Sequence, residues 1–253
     1  MTAAIETHDL TLRFGNFAAV SNVSLRVEAG ARHALIGPNG AGKTSLVHTL
    51  TGSLRPTSGT VLLGDEDVTH MKQSSRVRRG LARTFQINKL FDGLTVLDNV
   101  RLAVFERERK SNTFWKSATT DRAVLEEARE HIAFAHLEEH ADRIVSALPY
   151  GLQRLVEIAI ALATKPRVLV LDEPAAGVPA AQSEAIFERI AALPRDLTLL
   201  FVEHDMNLVF RFAERITVLV GGHVMTEGTP AEISADERVR EVYLGRRGHH
   251  GAA

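Results

Sequence analysis

The chain has 253 residues, 45% of them hydrophobic, enough for one large α/β domain or two lobes with a full core. Its 30 Lys and Arg against 31 Asp and Glu leave a formal charge of −1, so no global basic field recruits nucleic acid or anionic lipid. Cysteine is absent, which excludes disulfides and thiolate metal sites and fits a reducing compartment. Residues 1–6 lack the basic-then-apolar order of a signal peptide, and the longest apolar run, 158–163, is far too short for a membrane span. Membrane association is therefore expected only through a partner.

Residues 10–14 alternate apolar and polar and predict a strand. Residues 23–27 predict its partner, with a turn at Gly15-Asn16. Phe14 could stack on a nucleotide base or face the core, and spacing leaves both open. Ala34-Leu35-Ile36 predicts a buried strand. It leads into Gly37-Pro38-Asn39-Gly40-Ala41-Gly42-Lys43-Thr44, the G-x-x-x-x-G-K-T phosphate-loop pattern, and then a helix from Ser45 to Leu50. Gly40 and Gly42 can take positive φ, so successive N–H groups can cradle phosphate oxygens at a helix N-terminus. Lys43 adds a full charge near the β- and γ-phosphates, and the Thr44 hydroxyl can ligate Mg²⁺.

Pro56, Ser58 and Gly59 signal a turn before a strand at 60–64. Arg76, Arg78 and Arg79 read as a solvated helix face. Residues 81–85 read as a strand that exits at Gln86. From Leu90 to Leu148 the character changes: 95–105 and 121–137 have helical periodicity, with Val96, Leu97 and Val100 on one face and Val124, Leu125 and Ala128 on another. Between them, 106–120 reads as a surface excursion carrying Phe114-Trp115, and the whole block as an inserted lobe. His136-Leu137-Glu138-Glu139-His140 fits H-x-x-E-H, but no third ligand is near and the surroundings are charged, so a surface helix end is the expectation.

Leu148 to Gln153 reads as a turn entering a helix at 154–163, with the amides around Gly151 as a second anion site. Residues 168–171 form an all-apolar run ending in Asp172 and Glu173. Such a strand belongs in the buried centre of a parallel sheet, with its acids on the ligand-binding edge. Asp172 suits Mg²⁺, and Glu173 suits polarising an attacking water. Residues 197–202 predict another buried strand, His204 lies at its exit, and Asp205 should cap a helix at 206–212. Residues 216–220 and 223–226 around Gly221-Gly222 predict a hairpin, and 245–253 a loose tail.

This ordered series resembles the nucleotide-binding subunit of ABC transporters from about residue 5 to 244. Residues 37–44 resemble Walker A, Gln86 the Q-loop glutamine, Leu148-Pro149-Tyr150-Gly151-Leu152 the family signature, 168–173 Walker B with its catalytic Glu173, and His204 the switch histidine. Phe14 occupies the adenine-stacking position. Arg83-Thr84-Phe85-Gln86, Leu94-Thr95-Val96, Asp172 to Gly177, Glu203-His204-Asp205-Met206 and Tyr243-Leu244-Gly245 are similar to the larger ATPase subunit of branched-chain amino acid importers. Three departures stand out: Pro149, Tyr150 and Leu152 in the signature, Pro179 where Asn or Asp is usual, and Ile160 where a basic residue is common.

The resemblance implies an α/β P-loop ATPase: a RecA-like core with a β-subdomain over 1–89 and 164–253, and a helical subdomain at about 90–163. It implies ATP held by Phe14, residues 37–44 and Ser45. Mg²⁺ is served by Thr44, Gln86 and Asp172, and hydrolysis by Glu173, His204, Gln86 and Lys43. It further implies a second ATPase subunit, a different chain or a second copy of this one, whose ATP meets residues 148–152, two membrane permease subunits, an extracytoplasmic solute-binding protein, no nucleic acid, and a place on the cytoplasmic membrane face. The alternatives are an ABC ATPase acting on nucleic acid or the ribosome, and a nucleotide-gated module with little hydrolysis.

Overall fold

A computed structural model describes residues 3–84, 90–108 and 122–244. Gln86, the Phe114-Trp115 part of the excursion and the tail beyond 244 lie outside them. Chain order is β1 (Ala3–Phe14), β2 (Phe17–Val23), β3 (Arg26–Glu28), β4 (Arg32–Ile36), α1 (Lys43–Leu50), β5 (Ser58–Leu63), β6 (Glu66–Asp67), α2 (Gln73–Val77), β7 (Leu81–Arg83), α3 (Val96–Arg107), α4 (Arg122–Phe134), α5 (Tyr150–Ala163), β8 (Val168–Asp172), α6 (Ala180–Ala191), β9 (Thr198–Val202), α7 (Met206–Phe212), β10 (Arg215–Val220), β11 (His223–Gly228), α8 (Pro230–Ala235) and α9 (Glu237–Leu244). Two compact units divide the chain: residues up to Gln73 with those from Arg195 onward, and residues 74–194. The helical block at 90–163 lies inside the second unit, together with β7, β8 and α6.

In the first unit β1 is the organising strand, antiparallel to β2, β3 and β5. The single partner strand expected at 23–27 is split in two. Thr7 fills the gap: its hydroxyl donates to the Val23 carbonyl at 2.9 Å and accepts the Leu25 N–H at 2.9 Å. Asn22 sits where the β1–β2 register shifts and Asp9 where the β1–β5 register shifts, both at positive φ, as bulged positions do. The other layer has β4 parallel between β9 and β10, with β11 antiparallel on β10. Every residue of β4 and β9 is buried, which suits the apolar runs 34–36 and 199–202.

Two buried residues of β4 are polar, Arg32 and His33; His33 is fully buried, with Nε2 2.7 Å from the Thr217 hydroxyl. That hydroxyl in turn donates to Glu227 at 3.0 Å. Nε2 therefore carries the donated hydrogen, and Nδ1, buried without a partner among the described residues, suits the neutral ring. Burial pushes its pKa down to about 4, with Arg215 acting the same way and Glu227 opposing.

In the second unit β7 and β8 run parallel, Arg83 opposite Val170. Helices α3, α4 and α5 bury Val96, Val100, Val124, Ala128, Leu155, Val156 and Ala159 against one another, whereas Leu97 and Leu125 are only half-buried. Thr95 caps α3 by accepting the Asp98 N–H. Three local expectations change. Arg76 is buried rather than solvated, while Arg78 is exposed. His136 takes a positive φ and Glu138–His140 is a single 3₁₀ turn, so the two histidines do not share an α-helical face. No metal-binding cluster exists among the described residues. Helix α5 begins at Tyr150, four residues before the expected start, because Pro149 fits the N-terminal boundary and Gly151 is tolerated in the first turn.

His33 makes the stability pH-dependent. Its folded pKa lies below the unfolded value, so the unfolded chain binds the extra proton between about pH 4 and about 6.5 and stability falls as pH drops through that window. Melting of His33→Gln should lose that part of the pH slope, while remaining lower than wild type at pH 7.5.

Candidate nucleotide-binding and catalytic site

The first unit carries the phosphate loop. Gly37, Gly40 and Gly42 all have positive φ. At Gly42 a Cβ would lie 2.2 Å from the Ala19 carbonyl oxygen of β2, so only glycine fits. At Gly40 a Cβ would meet nothing within 4 Å, so that residue faces open space. The loop is pinned from outside by the β10–β11 turn: the Gly222 N–H donates to the Ala41 carbonyl at 2.9 Å, and the Ser21 N–H to the Gly222 carbonyl at 2.9 Å.

Helix α1 starts at Lys43 with no side-chain cap, so its first-turn amides stay available to an anion. The Lys43 ammonium, buried, donates to the carbonyls of Gly37 at 2.7 Å and Pro38 at 3.1 Å. It thus spans the concave side of the loop. Asn39, Gly40 and Thr44 are exposed, and Pro38 and Ser45 half-buried. Tyr243 of α9 lies beside Gly37. Burial pushes its phenol up to about 12, and the Gly37 amide offsets part of this without forming a well-shaped hydrogen bond.

His204 shares the loop's edge. Leu35 of β4 pairs with Val202 of β9, so both strands exit on the same side, about 5 Å apart. Glu203 is buried at 1% exposure, and its Oε1 accepts the N–H groups of His204 at 2.8 Å and Asp205 at 3.3 Å. The same oxygen lies 3.1 Å from His204 Nδ1, which leaves Nε2 facing outward from an exposed ring. Asp205 caps α7 through the Asn207 N–H at 2.9 Å, as expected. Phe14 is 52% exposed, which removes the core-facing reading. It pairs directly with Phe17, 65% exposed, across the hairpin.

The second unit carries the carboxylates. Asp172 closes β8, 1% exposed. Its Oδ2 accepts from Arg83 Nη2 at 2.5 Å, and its Oδ1 is buried with no hydrogen-bond partner among the described residues. A bare carboxylate oxygen at a strand end is what a divalent cation or its water would use. Glu173, half-buried, follows at φ 50°, a left-handed conformation costing an L-residue about 1 kcal/mol or more. That turn points the chain away from the strand immediately after the buried Asp172.

The segment 148–152 lies in the same unit. Leu148 is buried, Pro149 precedes the helix without a side-chain cap, and Leu152 and Gly151 are half-buried. The Tyr150 ring covers Gly177, where a Cβ would sit 3.2 Å from it, and Arg154 stacks on that ring at 5.0 Å. A Cβ on Gly151 would approach Gln182 at 3.1 Å. The helix start therefore packs on the loop that follows Glu173. Gln86 lies outside the described residues. Sequence reasoning did not single out Glu203 or Arg83 as site residues; their signal was a charged side chain next to a strand exit.

Residues 20–176 match the family model described as ABC transporter, and residues 223–249 the one described as branched-chain amino acid ATP-binding cassette transporter. The chain is 39% identical, over 95% of its own length and 97% of the relative's, to the high-affinity branched-chain amino acid transport ATP-binding protein LivG of Escherichia coli. It is 36% identical, with the same coverage, to the corresponding protein BraF of Pseudomonas aeruginosa. Its fold superposes with a TM-score of 0.86 on the ADP conformation of MJ1267, an ATP-binding cassette of an ABC transporter, at 30% identity over 97% of this chain and 100% of that one. It also superposes on the dimeric ADP- and Pi-bound cassette MJ0796, with a TM-score of 0.75 at 26% identity over 89% and 98%. The chain belongs to the ABC transporter family and is one of its ATPases.

Proposed function

We propose that this chain is the ATP-hydrolysing subunit of an importer for branched-chain amino acids or related small solutes. The observation that carries the solute class is the 39% identity spanning 95% of the chain to a branched-chain amino acid transport protein. The same full-length likeness to transport proteins disfavours an ABC ATPase of nucleic acid or the ribosome. No helix among the described residues is long and apolar enough to cross a membrane. The proposal therefore seats the chain on the cytoplasmic face of two permease subunits, supplied by an extracytoplasmic binding protein.

Mg²⁺ would supply charge neutralisation on the β- and γ-phosphates. Thr44 and Asp172 would hold it, with Gln86 as a further ligand; the bare Oδ1 of Asp172 and the exposed Thr44 fit that role. The chain's own residues do the rest. The amides of 37–45 and the Lys43 ammonium bind and orient the phosphates. Phe14 stacks on the base, Glu173 takes a proton from the attacking water, and His204, aimed by Glu203, stabilises the γ-phosphate through Nε2. The first turn of α5, residues 148–152, faces the ATP of a second subunit. The exposed Phe91 and Ile144, on adjoining segments of the helical block, offer an apolar seat for a permease helix.

Pro149 lacks the hydroxyl that a serine would present to the partner's γ-phosphate, whereas the groups offered to this chain's own ATP are intact. We therefore assign the second ATPase subunit to a different chain. Glu173→Gln should still bind Mg-ATP, lower turnover of the assembled complex by about 100-fold or more, and abolish leucine uptake in reconstituted vesicles. By light scattering, the same variant alone should stay monomeric with Mg-ATP and dimerise only with the second subunit. A stable homodimer would overturn the assignment to a different chain. Gly42→Ala, colliding with Ala19, should lose nucleotide binding, whereas Gly40→Ala should fold and bind with a loss of only about 1 kcal/mol, read from a fluorescent-ATP titration.

A further inference from the structure

The Arg83–Asp172 pair leaves hydrogen-bonding capacity unused next to a strand exit. Both side chains are buried, at 7% and 0% exposure, so the pair has lost most of its hydration. An arginine–carboxylate pair can close as a fork, with two parallel hydrogen bonds. Here a single bond joins Arg83 Nη2 to Asp172 Oδ2, while Arg83 Nε and Asp172 Oδ1 are each buried without a hydrogen-bond partner among the described residues. The carboxylate thus keeps one oxygen without a hydrogen bond, on the residue that the proposed function gives to the metal.

Arg83 is held from below. It ends β7 in register with Val170, and the next residue donates its N–H to the Val170 carbonyl at 3.0 Å. Its guanidinium therefore reaches Asp172 from a fixed backbone. Three residues further on in sequence stands Gln86.

We propose that Arg83 is a positioning residue that occupies Asp172 until the nucleotide's divalent cation arrives, so that guanidinium and cation compete for one buried carboxylate. The inference rests on the reading of Asp172 as metal-serving. In the nucleotide-free chain Arg83 supplies the positive charge that holds the Asp172 carboxylate in place. When the cation enters, Asp172 turns its charge toward it and its hold on Arg83 weakens. The affinity of the site for Mg²⁺ is then set by a resident cation of the protein, and β7 registers the arrival of the metal.

The test uses the full chain and Mg²⁺ as the probe. Binding of a fluorescent ATP analogue is titrated against Mg²⁺ for wild type, Arg83→Gln and Arg83→Lys, and thermal melting is followed without nucleotide. Removing a unit charge at contact distance should lower the Mg²⁺ midpoint of Arg83→Gln by about tenfold. In EDTA that variant should melt several degrees lower and recover with Mg²⁺ alone, while wild type does not respond to Mg²⁺ alone. Arg83→Lys, which keeps the charge but not the guanidinium's reach to Asp172 Oδ2, should shift the midpoint the same way by less and serves if Arg83→Gln fails to fold. An unchanged midpoint in the variants that fold would overturn the proposal, as would melting that falls without a Mg²⁺ response. Asp172→Asn separates the two readings. If it leaves the Mg²⁺ dependence intact, the metal assignment itself is wrong. If it removes that dependence while the Arg83 variants do nothing, only the competition fails.

Discussion

The approach of the Gly42 backbone to the Ala19 carbonyl holds the rest of the first unit to its task. With a Cβ distance of 2.2 Å, that contact admits no side chain, so the loop must lie flat on β2. Flatness brings Ala41 within reach of the β10–β11 turn, whose Gly222 N–H locks it. The locked loop leaves Gly40 facing open space and the Lys43 ammonium bridging the loop's own carbonyls. A surface that would otherwise need ligand to organise it is therefore ordered beforehand, which lowers the entropic cost of binding.

The parallel pairing of β4 with β9 adds the histidine to that edge. His204 is presented by a strand exit, and Glu203 fixes both its backbone and its Nδ1. This is the outer support that reactive groups need, since a ring free to rotate would aim Nε2 in many directions. The second unit follows the same logic with opposite charge. Asp172 is buried and tethered, Glu173 turns outward at the cost of a left-handed backbone, and Tyr150 lies on Gly177. The start of α5 and the loop after β8 are thereby one packed piece, so a change at either should be felt at the other.

Much of this was legible in the chain. The glycines of the loop, the apolar runs of β4, β8 and β9, the Asp205 cap and the Gly221-Gly222 hairpin all follow from local rules of backbone freedom, burial and capping. The resemblance in motif order named the family, and the full-length relatives bear it out. What misled was context. Arg76 looked like surface because a basic cluster usually is, and its burial is a tertiary fact. The alternation at 23–27 gave no sign that Thr7, from another strand, would interrupt it.

The sequence by itself determined which residues could bind phosphate, carry metal and take a proton, because those capacities belong to residue type and spacing along one segment. Only the tertiary structure decided which groups support them. The Glu203 grip on His204, the exposure of Phe14 and the half-satisfied pairing of Arg83 with Asp172 depend on burial and on backbone direction. In the last case the two residues stand 89 positions apart, and no local pattern encodes a contact made across a strand pair.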